Sequence, residues 1–121
     1  MKLAAKLLLK VGSDYILGPG RIELLKKIAE LGSLRQAAGA MGMGYRWAWG
    51  RLKKTEAALD LELLVQEPGS GRGHVKALSP AAREVLAWYL ETETRVEALL
   101  AERLAEAPAC LRQAPGQAAG E

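Results

Sequence analysis

Tyr45, Arg46, Trp47 and Trp49 stand within the run GYRWAWGRLKK, which goes on to Arg51, Lys53 and Lys54. Guanidinium groups bind phosphate oxygens and guanine edges, while aromatic rings pack on sugars, bases or a protein core. Between residues 31 and 55 the cations are Arg35, Arg46, Arg51, Lys53 and Lys54, with no Asp or Glu among them. A second stretch, 69–83, carries Arg72, Lys76 and Arg83, again without a carboxylate. From 84 to 107 the balance reverses: Glu84, Glu91, Glu93, Glu97, Glu102 and Glu106 face only Arg95 and Arg103. The net charge is only +3, so the distribution carries the information. A basic centre beside an acidic C-terminal segment points to a polyanion as the partner of the centre.

Other chemistry is poorly provided for. His74 is the one histidine, and no nucleophile accompanies it at a useful spacing. Ser13, Ser33, Ser70 and Ser79 read as turn or cap residues, so no catalytic site is expected. Cys110 is the only cysteine, which excludes a disulfide framework and a cysteine zinc cluster within one chain. The loop PGSGRG at 68–73 lacks the Lys-Ser/Thr pair of a nucleotide-binding loop. No metal or cofactor is expected. Lys6 and Lys10 interrupt the opening apolar stretch, so no signal peptide is expected, and no apolar run reaches membrane-spanning length. The expected location is the cytoplasm.

These residues need elements to hold them. KLLLKVGSDYILG, from Lys6 to Gly18, reads as a hairpin with Leu7, Leu9 and Val11 on one face and GSD as the turn. GPGR at 18–21 opens a helix whose apolar face is Ile22, Leu25, Ile28 and Ala29, widened by Leu24 and Leu31. Gly32 ends it, and Ser33 with Gln36 forms a capping box for a short helix from Leu34 to about Met41. Gly42 supplies a left-handed turn. A third helix follows, from Gly44 or Tyr45 to Leu59, with Ala48, Leu52 and Leu59 inward and Trp49 at the edge of that stripe. Residues 61–67 and 74–78 read as strands around the glycine-rich loop. Ser79 and Pro80 start a last helix that runs to about Ala105, with Ala82, Val85, Tyr89, Thr92, Val96 and Leu99 along a near-heptad seam. The tail 106–121 reads as flexible. The expected fold class is mainly α with a small β component: a winged helix–turn–helix with an N-terminal β-hairpin and a long C-terminal dimerisation helix.

The stretch GSLRQAAGAMGMGYRWAWGRL resembles the helix–turn–helix of ModE-type, molybdate-responsive transcription regulators. Gly32, Ser33, Leu34, Ala37 and Ala38 match the first part of that family's pattern, and Tyr45, Arg46, Ala48 and Trp49 the second. GPGRIELLKKI before it, the glycine-rich wing after it and the helix beginning near LSPAAREVL are also similar. The last of these resembles the dimerisation helix shared with LysR-type regulators. Together the likeness covers about residues 6 to 104. Two features depart from the family. Gly44 stands where a serine is usual, and the wing is short. After about residue 105 too little chain follows for a molybdate-binding domain, so molybdate sensing is not carried over.

What the resemblance implies is a stand-alone, homodimeric regulator that binds double-stranded DNA. Residues 1–79 would form the DNA-binding domain, 80–105 the dimerisation helix and 106–121 the tail. The candidate DNA-contacting set is Ser33, Arg35, Gln36, Gly44, Tyr45, Arg46, Trp47, Arg51, Lys53, Lys54, Arg72 and His74. Arg46 would read bases, and Arg72 would meet the backbone from the tip of the wing. The alternative is a winged-helix module that binds proteins rather than DNA, for which an exposed Trp47 would speak.

Overall fold

The computed structural model describes residues 1–66 and 75–113. β1 (Leu9–Val11) and β2 (Asp14–Leu17) form an antiparallel hairpin that turns at Gly12, where φ is +63°. Its register shifts between Leu9 and Lys10, so the face expected to carry Leu7, Leu9 and Val11 does not persist, and Val11 is exposed. A bulge places an extra residue on one strand and re-aims those beyond it. The buried residues of the hairpin are Ile16 and Leu17, on β2.

α1 (Pro19–Leu31) starts with Pro at its first position, where no amide is lost, and stops at Gly32 with φ +90°. It buries Ile22, Leu24, Leu25 and Ile28, whereas Ala29 and Leu31 are exposed. α2 (Leu34–Ala40) is capped by Ser33, whose hydroxyl accepts from the Gln36 amide at 3.1 Å. It ends in a tight turn: the Met43 amide reaches back to the Ala38 carbonyl at 2.9 Å, and Gly42 takes φ +68°. α3 (Tyr45–Leu59) then runs to Asp60, a left-handed cap at φ +53°. Ala37 and Ala38 on α2 and Ala48 on α3 are all buried in the same core. Small side chains there let the helices approach closely.

β3 (Leu64–Gln66) pairs antiparallel with β4 (Lys76–Leu78), Leu64 opposite Leu78. Residues 61–63 and Val75, expected within these strands, lie outside them, while Glu67 and His74 fall outside the described residues. α4 (Pro80–Ala105) is 26 residues long, about 39 Å at the standard rise. Ser79 caps it by accepting from the Ala82 amide and donates to the Glu62 carbonyl, which ties the helix start to the hairpin. α5 (Ala109–Arg112) is a short helix where flexible chain was expected.

One core holds these pieces together, from Leu17 through α1, α2 and α3 to Leu78, Leu86 and Tyr89. The segment before β1 lies along α4. The Tyr89 hydroxyl donates to the Leu7 carbonyl, and Met1 shares a cleft with Ala101, Leu104 and Ala107. Tyr89 and Ala82 are therefore covered by their own chain, which corrects the expected seam. Leu99 alone of the expected seam is left largely exposed, at 54%, and the other large exposed apolar side chain of α4 is Trp88, at 51%, three helical turns away. No helix among the described residues is long and apolar enough to cross a membrane.

Candidate nucleic-acid interface

The tight turn at Gly42 sets the direction of α3, and Gly44 caps that helix without a side chain. The first turn is therefore unobstructed, with its amides and positive dipole end open to an anion. Tyr45 is half-buried and packs on the core, and the Arg35 guanidinium of α2 lies over its ring, 4.5 Å from the centroid. Arg46 projects on the next side of the helix. With Tyr45, Trp49 and Gly50 it borders a shallow groove on the surface of α3. Gly50 leaves the floor of that groove open, since a Cβ there would meet nothing within 4 Å.

The aromatic residues depart from expectation. The stripe that α3 turns inward is Ala48, Leu52 and Thr55, with Leu59 half-buried. Trp49, expected at the edge of that stripe, is 41% accessible, and Trp47 is 55% accessible. Each of these two indoles on α3 is covered by a cation of the next turn. Arg51 lies 4.7 Å from Trp47 and Lys53 5.4 Å from Trp49. Such contacts stabilise by about 0.5–1 kcal/mol at an exposed site, little enough to be exchanged for a ligand.

Two polar residues of α3, Thr55 fully buried and Glu56 half-buried, fix the helix in place. The Thr55 hydroxyl donates to the Ile16 carbonyl at 2.6 Å, joining α3 to the first hairpin. The Glu56 carboxylate accepts from the Leu63 and Leu64 amides at 2.7 and 3.1 Å and pairs with Lys53 at 2.9 Å. Burial pushes the Glu56 pKa up, but the bonds from Lys53, Leu63 and Leu64 outweigh it and hold the pKa below the ordinary value. The only sequence signal for this role was that Glu56 ends the acid-free run.

These contacts sort the candidate set. Ser33 is buried as a cap, and the exposed Gln36 accepts from the Ser33 hydroxyl at 3.4 Å rather than from the Ser33 amide, so only the Ser33 half of the expected capping box is formed. Lys53 is committed to Glu56. Among the described residues, Arg35, Arg46, Arg51 and Lys54 have no carboxylate partner. Arg35 and Gln36 border a second groove with Val75 and Lys76, where α2 meets the start of β4. Arg72 and His74 lie outside the described residues.

Three helices joined by tight turns, a two-stranded hairpin and a long final helix define a winged-helix-like fold. Its third helix presents cations without acidic partners. The chain is 31% identical over 84 residues, 69% of its length, to the molybdenum-pterin-binding protein MopB of Rhodobacter capsulatus. Over 83 residues it is likewise 31% identical to the transcriptional regulator ModE of Haemophilus influenzae. It spans about a third of the length of these relatives, 31% and 32% respectively. No protein-family model matches it. The distant homology supports a ModE-like domain, and the relatives' names are those of a regulator and a binding protein.

Proposed function

We propose that the chain binds double-stranded DNA as the DNA-reading part of a ModE-type transcription regulator. The observation that carries this reading is Arg46: exposed, without a carboxylate partner among the described residues, and set beside Gly50 in the first turns of α3. Arginine bidentate to guanine is the commonest specific base contact, and the start of a recognition helix is where such contacts fall. Arg35, Gln36, Gly44, Tyr45, Arg51 and Lys54 would position the helix on phosphates and sugars, with Arg72 and His74 contributing from the wing. Residues 1–79 would be the DNA-binding unit.

Two copies would pair through the 80–105 helix, along the side that carries Trp88 and Leu99. A two-fold pair implies a pseudo-palindromic site with half-sites separated by whole helical turns. The working compartment would be the cytoplasm, where the DNA is. Titration on genomic fragments at graded salt tests the reading. The expected result is tight binding to a subset of fragments, with affinity falling steeply as salt rises. Equal, weak binding to every fragment would rule it out.

The exposed Trp47 favours a second reading, a module that docks a protein partner. It requires Trp47→Ala to abolish capture of a partner from a lysate, with no DNA retained by the wild type.

A further inference from the structure

A basic cleft borders the α3 surface described above and takes in one of its cations, Arg51. It lies between the first hairpin, the start of α1 and the Arg51 edge of α3. The cleft holds about 400 Å³ and is lined by Lys6, Tyr15, Arg21 and Arg51, with Gly18 and Gly20 at the helix start. An adjoining cleft shares Tyr15, Arg21 and Arg51 and adds Lys54 and one acid, Asp14. Among the described residues none of these four cations is in an ion pair, and Asp14 is the sole carboxylate lining either cleft.

Arg21 is the unusual member. It occupies the first turn of α1, where the helix dipole is positive and a cation is disfavoured. It is only 8% accessible. Its Nη1 donates to the Ile16 carbonyl, and its buried Nε has no hydrogen-bond partner among the described residues. Burial, and then the nearby Arg51 charge, lower its pKa from the ordinary value. A buried guanidinium beside a second cation, with one nitrogen unmatched, is costly unless an anion neutralises it. The same helix start has no side-chain cap, because its N-cap is Gly18. Nothing lies within 4 Å of where a Cβ on Gly20 would stand, so a ligand can approach the backbone there. First-turn amides and a guanidinium together form the donor set that tetrahedral oxyanions take.

We propose that this cleft is an oxyanion site that receives a phosphate group. The phosphate has two possible sources, the backbone of a DNA flanking α3 or a free phosphate ion. The site itself does not depend on the DNA-binding reading.

Inorganic phosphate titrated into the full chain is the first probe, followed through the amide NMR shifts of Gly18, Gly20 and Arg21. Sodium chloride at matched ionic strength is the control. The expected result is a saturable response to phosphate alone. Gly20→Ala should retain it. Gly20→Asp should lose it, because its carboxylate would occupy the site while favouring the first turn of α1. Lys6→Ala should weaken it about threefold. A response reproduced by chloride, or one that survives Gly20→Asp, would overturn the proposal. DNA binding by the same variants then separates the sources. If the phosphate belongs to DNA, Gly20→Asp weakens DNA binding and free phosphate competes with it. If it is a free ion, Gly20→Asp binds DNA as the wild type does. Should no variant or wild type bind DNA while the phosphate response persists, the oxyanion site stands and the regulator reading fails.

Discussion

Arg46 and Thr55 show how one helix divides its labour between the solvent and the core. Arg46 has no carboxylate partner among the described residues, so its replacement should affect binding alone. Arg46→Ala is expected to cost about 1–3 kcal/mol at one base position and to relax preference there, with melting temperature unchanged. Selection from a randomised operator pool reads this directly, and an undiminished preference would remove Arg46 from the base-reading role. Thr55 is fully buried and donates to the Ile16 carbonyl, which also accepts from Arg21. Thr55→Val keeps the shape, and the carbonyl keeps its second donor. The loss should therefore be about 1 kcal/mol, the scale of one net hydrogen bond, rather than the larger cost of an orphaned group. Urea unfolding measures it.

For the third helix as an element, Glu56 is the latch to the second hairpin. Its pKa is lower folded than unfolded, so its stabilisation is full above the unfolded value. It is lost as pH falls through the lower, folded value. Acid unfolding should accordingly steepen below about pH 4.5, the ordinary value. Glu56→Gln should be less stable than wild type at neutral pH and flatter through that window. Parallel pH profiles for the two proteins would contradict the latch. On α2, Ala38→Leu should destabilise by about 1–3 kcal/mol or more, since its site is filled by neighbouring helices. Much of this architecture was legible in the sequence because it is set by local chemistry. Gly32, the Ser33 cap, Gly42 and Ser79-Pro80 mark boundaries that follow from backbone conformation and capping alone. The facing of Trp49 was not legible. Its helical position borders the buried stripe, but the structure sets it on the open side of α3 beside Arg46 and Gly50, with Lys53 over its ring. Thr55, Glu56 and Arg21 were missed for a related reason. Each is a polar residue justified by a backbone group that is distant in sequence or set by a loop, and no spacing rule announces such a partner.

The whole molecule is arranged around α4, one side of which is covered by its own chain while Trp88 and Leu99 face outward. Trp88→Asp and Leu99→Asp together should leave the monomer folded and prevent pairing. Sedimentation should show a shift from dimer to monomer with unchanged helical circular dichroism. A dimer that survives both changes would place the contact elsewhere. The hydrogen bond from Tyr89 to Leu7 joins residues 82 positions apart, and Met1 reaches the far end of the same helix. During synthesis, the residues around Leu7 therefore wait for a partner made 82 positions later. The three central helices have nearby partners and can assemble before that, whereas the first segment stays unprotected until α4 emerges. A protease present during translation would find its earliest cuts ahead of the first hairpin, in a stretch that the finished molecule holds against its longest helix.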